Sequence, residues 1–305
     1  MSELTVEAIN SYMENTPEEF IAKCENRYYS SLKNVVERIV SFSGRCLVML
    51  AGPSSSGKTT TARILTELLG EQGRNAIVVS LDDFYREQSE TPKFEDGSPD
   101  FETVHALNVP QIIECLHTLI DTGECLMPVF DFITKMPKQN AKHLKIGEKD
   151  IVIVEGLHAL NPLITEPLMD EDMLKLYVSV SSRIYNSDGQ VEFTKRDIRF
   201  IRRMVRDYRS RSSSVEFTFY LWKGVRRGED EYLFPYTKNA DIKIDSIHPY
   251  ELCIYRDYAI KLLMHIDEKS EYYETAQKYI NKLSAFVSKS DSLVPENSLL
   301  HEFIG

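Results

Sequence analysis

Nine consecutive residues of the sequence have the types and spacing needed to hold a polyphosphate. Gly52-Pro53-Ser54-Ser55-Ser56-Gly57-Lys58-Thr59-Thr60 reads G-x-x-x-x-G-K-[ST] in full. Its glycines let the backbone wrap an anion, so that N–H groups and the start of the next helix face the phosphates. In such a loop the lysine, Lys58, reaches the β- and γ-phosphates and the hydroxyl of Thr59 ligates Mg²⁺. The pattern carries this meaning only between a strand and a helix. The apolar run Arg45 to Ala51 supplies the strand, and a helix is predicted from about Lys58 to Leu69, stopping before Gly70 and Gly73. The segment reads as a nucleoside-triphosphate site.

Two acids stand where such a site needs them. Ala76 to Leu81 reads as a second strand, followed by Asp82-Asp83-Phe84-Tyr85. Ligands of open parallel sheets bind beyond the carboxyl ends of the strands, which brings Asp82 close to the phosphates. A carboxylate there can orient and deprotonate a hydroxyl acceptor. The run Ile151-Val152-Ile153-Val154 ends in a single Glu155 followed by Gly156. One acid at a strand tip suits a metal ion or its water shell. A motor ATPase would instead end that strand in Asp followed by Glu. A GTPase needs D-x-x-G, and no glycine here has an Asp three residues before it; TKNAD at Thr237 to Asp241 has the wrong order for N-K-x-D.

Arg199, Arg202, Arg203 and Arg206 fall at i, i+3, i+4 and i+7, one face of a helix, while Ile198, Ile201, Val205 and Tyr208 line another. Arg209 and Arg211 lead into the turn Ser212-Ser213-Ser214. Alone, such a run is a solvated face. Beside a triphosphate it suits a lid, in which Arg203, Arg206 and Arg211 close over ATP and stabilise charge on the transferring phosphoryl group.

The elements that must position these groups alternate along the chain. Buried-type strands are predicted at Asp150 to Val154, Met173 to Val180 and Ala240 to Asp245, with a helix from Val109 to Ile120 opened by Asn108 and closed by Gly123. This alternation argues a parallel α/β sheet covered on both faces. Cys125 to Phe132 and His143 to Ile146 read as an antiparallel hairpin, placed at an edge by Pro128. A long amphipathic helix is predicted from Thr16 as N-cap to Ser43, and helices from Pro249 to Val287, with loosely ordered residues from about Ser288. The division expected is a helical extension over 1–44, a phosphate-loop domain over 45–247, and closing helices and tail packed on it over 248–305. Lys+Arg 36 against Asp+Glu 47 give the 305 residues a net charge of -11, which argues against a nucleic-acid or anionic-membrane binder. Five scattered cysteines without C-x-x-C, no signal-peptide pattern at the start and no long apolar run together predict a cytoplasmic, soluble protein.

In this order the motifs resemble the uridine kinase and phosphoribulokinase family of P-loop kinases, from about Arg45 to Asp245. GPSSSGKTT is similar to the family's phosphate loop, and SLDDFYR (Ser80 to Arg86) to the motif whose first Asp is general base and metal-shell residue, here Asp82. FETVHALN resembles the segment whose acid, here Glu102, grips the ribose hydroxyls. MPVFDF resembles the hairpin over the nucleobase. IVEGL gives Glu155 as a second carboxylate near Mg²⁺, RRMVRDYRSR resembles the arginine lid, and PYTKNADIKI the segment near the adenine. Where uridine kinases carry Tyr-Asp-Phe and then His and Arg, this chain reads Phe130-Asp131-Phe132, then Lys135 and Pro137. VPENSLLHEFIG resembles a bacterial nucleoside-kinase branch.

The resemblance implies ATP- and Mg²⁺-dependent phosphorylation of a nucleoside 5′-hydroxyl. Its substrate contacts would be Glu102, Phe130, Phe132, Lys135 and Arg211, and its metal ligands Thr59, Asp82 and Glu155. A small-molecule substrate and, as is common in the family, a homo-oligomer are the expected partners. A kinase of sugar phosphates or other metabolites is the alternative within the class, and an ATP-binding regulatory or RNA-associated module without catalysis the alternative outside it.

Overall fold

Six apolar residues in a row leave a strand no face to turn toward water, so Cys46–Ala51 has to be covered on both sides. In the computed structural model, which describes residues 4–95 and 97–305, it is the central strand β1. The other strands are β2 Ala76–Ser80, β3 Glu124–Asp131, β4 Met136–Lys145, β5 Ile151–Gly156, β6 Met173–Ser179, β7 Ile184–Tyr185, β8 Val191–Phe193 and β9 Ile242–Asp245. The helices are α1 Val6–Asn15, α2 Pro17–Val40, α3 Lys58–Glu71, α4 Val109–Thr122, α5 Pro162–Thr165, α6 Lys195–Arg211, α7 Val215–Tyr232, α8 Glu251–Leu263, α9 Tyr273–Ser284 and α10 His301–Ile304.

Five strands form one parallel sheet in the order β2-β5-β1-β6-β9. Alternate residues of β1 serve opposite cores, as the two-residue period of a strand requires. Cys46, Val48 and Leu50 pack with residues of α1, α2, α3, α6 and α8. Leu47, Met49 and Ala51 pack with α4, α5 and β3. All five strands end at the same edge, and the register sets Glu155 between Leu50 of β1 and Ser80 of β2. The expected α/β architecture is present.

Four expectations change. The predicted hairpin is a separate two-stranded sheet, not an edge of the main one. Pro128 falls at the register shift between Met127 and Val129, where a missing N–H costs no ladder bond. α3 runs through Gly70 to Glu71, because a glycine in a last turn weakens a helix without breaking it. Ahead of β1 the described residues form two helices, and Thr16 at the N-cap of α2 makes no side-chain capping bond. The residues from Ser288 are packed, with Leu299, Leu300, Phe303 and Ile304 buried. Their spacing puts an apolar face on α10 that closes over α6 and the phosphate loop.

α6 enters the core through a capping box, Thr194 with Asp197, and buries Ile198, Phe200, Ile201, Met204 and Val205. Two of its arginines are buried as well. Arg199 makes a two-pronged ion pair with Glu229 of α7 at 2.6 and 2.8 Å, and Arg202 makes one with Glu251 of α8 at 2.6 and 2.9 Å. Removing one partner of such a pair strands the other charge in a dry interior, at a cost of about 3–5 kcal/mol. Glu229→Ala is therefore expected to lose stability on that scale in a denaturant titration. Glu271→Ala, which breaks the solvent-exposed pair with Lys223, should leave it almost unchanged. Equal midpoints for the two variants would show that the Arg199 pair is not the buried clamp described here.

Candidate active site

The phosphate loop leaves β1 at Ala51 and turns into α3 at Gly57. Gly57 has φ +90°, a left-handed conformation that side chains resist, and a Cβ there would stand 2.5 Å from Leu299. Lys58 curls back, its Nζ donating to the Pro53 carbonyl at 3.2 Å. Thr59 is exposed to the cleft, while Thr60 is buried behind it.

The outer side of the loop is held by α6 and α7. The Ser54 N–H donates to Glu229 Oε1 at 2.8 Å, and Arg199 Nη1 donates to the Ser54 carbonyl at 3.0 Å. Arg202 reaches the Ser55 carbonyl at 3.4 Å, and Arg203 the Ser54 hydroxyl at 2.8 Å. Arg199 and Arg202 are thus clamps in the core, not lid residues, because the helix that carries them is anchored by its apolar face. Arg203, Arg206 and Arg211 do face the cleft, gathered around the buried Asp207 at 3.1, 2.8 and 3.6 Å.

Asp82 lies in a one-turn 3₁₀ segment, Leu81–Phe84, begun by Ser80, whose Oγ accepts from the Asp82 N–H at 3.3 Å. The same Ser80 hydroxyl donates to Glu155 Oε1 at 3.1 Å, tying the two strand ends together. Surrounding protein raises the Asp82 carboxyl above its usual value against the pull of Lys58, although the residue opens onto the cleft. Glu155 is raised too, by burial first, against Lys58, with the charge of Asp82 adding to the rise. Glu102 is pushed up to about 7, again by burial, against the attraction of Arg203. Its seat is made by Gly228 of α7, where a Cβ would come within 2.4 Å of the Glu102 Cβ.

These groups meet in one cavity of about 240 Å³, lined by Ser54 to Thr59, Asp82, Glu102, Glu155, Arg203, Arg206, Arg211, Tyr85 and Glu302. A second, of about 410 Å³, opens on the other side of the loop between Pro53, Arg196, Phe234, Thr237 and Lys243. Phe130 is buried against Tyr85, with ring centres 5.5 Å apart. Phe132 packs edge-on to Phe130 at 5.1 Å but is 63% exposed. Lys135 sits exposed in the hairpin turn with φ 56° and does not line the cleft.

A sequence profile of the Phosphoribulokinase / Uridine kinase family matches residues 47–252, two thirds of the chain and all the residues of the cleft except Glu302. The chain belongs to that family. A uridine kinase of Geobacillus sp. (strain WCH70) is 30% identical over 199 residues, 65% of this chain and 84% of its own length. One from Halalkalibacterium halodurans is 29% identical over the same share of each. Among solved structures, that of a possible uridine kinase from Bacillus stearothermophilus is 17% identical, covers 71% of this chain and 98% of its own, and has a TM-score of 0.48. The protein is accordingly a P-loop kinase, and no helix among its described residues is long and apolar enough to cross a membrane.

Three residues in or beside the cleft make contacts that motif reading does not show. Glu229 and Glu302 lie 175 and 242 positions from the loop residues they bond. Tyr85 is inside a recognised motif, yet only the fold shows its ring against Phe130. Of the three, Glu302 left a trace, the apolar spacing of Leu299, Leu300, Phe303 and Ile304 around it.

The raised carboxyl of Glu102 has a consequence for stability. Between its usual 4.5 and about 7 the folded chain holds a proton that the unfolded chain has lost. The stability this contributes is full below about pH 4.5 and is lost as pH rises through about 7. Glu102→Gln should remove that slope, so the variant gains on the parent across this window and nowhere else. Denaturant midpoints measured from about pH 4 to 8 decide it; a constant difference would mean that Glu102 titrates normally.

Proposed function

We propose that this kinase transfers the γ-phosphoryl group of ATP to the 5′-hydroxyl of a ribonucleoside. What supports this most is the arrangement of two acids, Asp82 and Glu155, within reach of the Lys58 charge in the cavity that the phosphate loop closes. The relatives named uridine kinase supply the substrate class.

On this reading the loop amides and Lys58 take the β- and γ-phosphates, and the cavity beside Pro53, lined by Arg196, Phe234, Thr237 and Lys243, takes the adenine. Asp82, open to the cleft and raised in pKa, accepts the proton of the acceptor hydroxyl as the oxygen attacks phosphorus. Arg203, Arg206 and Arg211 meet the charge that spreads over the transferring group. Glu102 bonds the vicinal ribose hydroxyls. Tyr85, which lines the cleft with the buried Phe130 behind it, gives the base an apolar surface; its hydroxyl is already used on the Phe101 carbonyl at 3.2 Å.

The site also fits a divalent cation. Asp82 and Glu155 share one cleft, where the charge of Asp82 adds to the rise of the Glu155 carboxyl, and a cation would relieve that repulsion. Mg²⁺ keeps several waters and takes one or two carboxylates plus phosphate oxygens, so it needs no cage of three acidic or imidazole ligands, and none is found among the described residues. Thr59, Asp82 and Glu155 would hold it, and it would neutralise negative charge on the phosphates.

An ADP-release assay over ribonucleosides, their 2′-deoxy forms and sugar phosphates tests the proposal. Ribonucleosides should win in kcat/KM over deoxy forms, because the buried Glu102 would be left unpaired, a loss of about 1–3 kcal/mol. Discrimination among bases should be weak. Asp82→Asn should lower kcat by at least about 10²-fold while nucleotide binding survives, and Lys58→Ala should abolish turnover without a change in melting temperature. Turnover of sugar phosphates alone would replace the ribonucleoside by that acceptor, and normal turnover by Asp82→Asn would reduce Asp82 to a strand-end acid.

A further inference from the structure

Residues Ser298–Gly305 run back over the phosphate loop and put a carboxylate on it. Ser298 is fastened to the buried Glu25 of α2, its Oγ donating to Oε1 at 2.7 Å. Leu299 fills the space above Gly57, and Phe303 lies under the Arg202 guanidinium, 5.1 Å from the ring centre. With Leu299, Leu300, Phe303 and Ile304 buried, α10 has one seat, and that seat aims Glu302 into the cleft. Glu302 Oε2 accepts from the Thr60 hydroxyl at 2.6 Å and from the Thr60 N–H at 3.2 Å.

Thr60 is the third residue of α3, so its N–H belongs to the first turn, where no carbonyl of the helix can accept it. Such N–H groups, at the positive end of the helix, are what a phosphate loop offers to an anion. A carboxylate oxygen of the protein stands at one of them. A bound polyphosphate would meet a fixed negative charge and a rival for the same donor.

We infer that Glu302 sets the affinity of the nucleotide site, its carboxylate competing with phosphate for the Thr60 N–H and repelling the polyphosphate. The inference rests on the phosphate-loop reading above. The hydroxyl bond from Thr60 and the apolar seat of α10 remain when nucleotide binds, and the side chain yields the N–H. A group that weakens ATP and ADP alike also hastens departure of ADP, and product release limits turnover in many enzymes.

Glu302→Gln keeps the side-chain volume and an oxygen for the Thr60 hydroxyl, and removes the charge. Titrations of ATP and of ADP, with and without Mg²⁺, into the 305-residue parent and variant should show both nucleotides bound about tenfold tighter by the variant at low salt. The gap should shrink as salt screens the repulsion, since the Debye length falls from about 30 Å at 0.01 M to about 3 Å at 1 M. Melting temperatures without nucleotide should agree, which excludes a folding defect. Equal affinities, or a salt-independent gap, would make Glu302 a helix cap and overturn the inference. Weaker binding by the variant only when Mg²⁺ is present would make it a metal-holding residue instead. A parent that binds neither nucleotide would overturn the phosphate-loop reading itself, a result distinct from parent and variant binding alike.

Discussion

One buried ion pair fixes the geometry of the cleft. Glu229 accepts two bonds from Arg199 and a third from the Ser54 N–H, while Arg199 also donates to the Ser54 carbonyl. Two helices and the phosphate loop therefore share a single polar junction in a dry interior. Its neighbours inherit the alignment. Gly228, next to Glu229, is the surface against which Glu102 rests. Arg203, one turn beyond Arg199, is aimed at the Ser54 hydroxyl. Such a pair adds little net stability over an apolar substitute, but nothing apolar could hold Ser54 by both its N–H and its carbonyl.

The second constraint is charge. Among the described residues the cleft presents Asp82, Glu102, Glu155 and Glu302 against Lys58, Arg203, Arg206 and Arg211. Four acids meet four bases, inside a chain of net charge -11. A polyphosphate entering such a balanced site brings more negative charge than the protein offsets. On the proposed reading that excess is what a divalent cation, held by Thr59 and the two strand-end acids, has to cancel. Burial already raises the proton affinities of Asp82, Glu102 and Glu155 before ligand arrives, with like charges adding to the rise and Lys58 or Arg203 opposing it.

How much of this the sequence could carry depended on distance along the chain. The phosphate loop, the strand before it and the acids at the ends of β2 and β5 are local patterns, and the parallel sheet converts them directly into neighbours. Arg199 and Arg202 were legible as one helix face but not as clamps. Their partners lie 30 and 49 positions away, and helical spacing says which residues share a face, not what faces them. Pro128 pointed to a sheet edge but lies at a bulge of a separate hairpin, and the two look alike in sequence. The packing of the closing residues is not legible in the sequence, because short segments of mixed polarity look loose until the surface that covers their apolar side is known. That surface is built from α2, α6 and the loop itself, over 200 positions earlier for Thr60.

The central claim is that the cleft moves a phosphoryl group to an acceptor hydroxyl instead of merely binding or hydrolysing a triphosphate. Phosphorus-31 NMR of the protein with ATP, Mg²⁺ and a ribonucleoside follows each phosphorus directly. The account predicts loss of the γ-phosphorus signal matched by a new phosphomonoester signal and by ADP, only when both acceptor and Mg²⁺ are present. Release of inorganic phosphate at the same rate with and without acceptor, or an unchanged ATP spectrum across nucleosides and sugar phosphates, would contradict it.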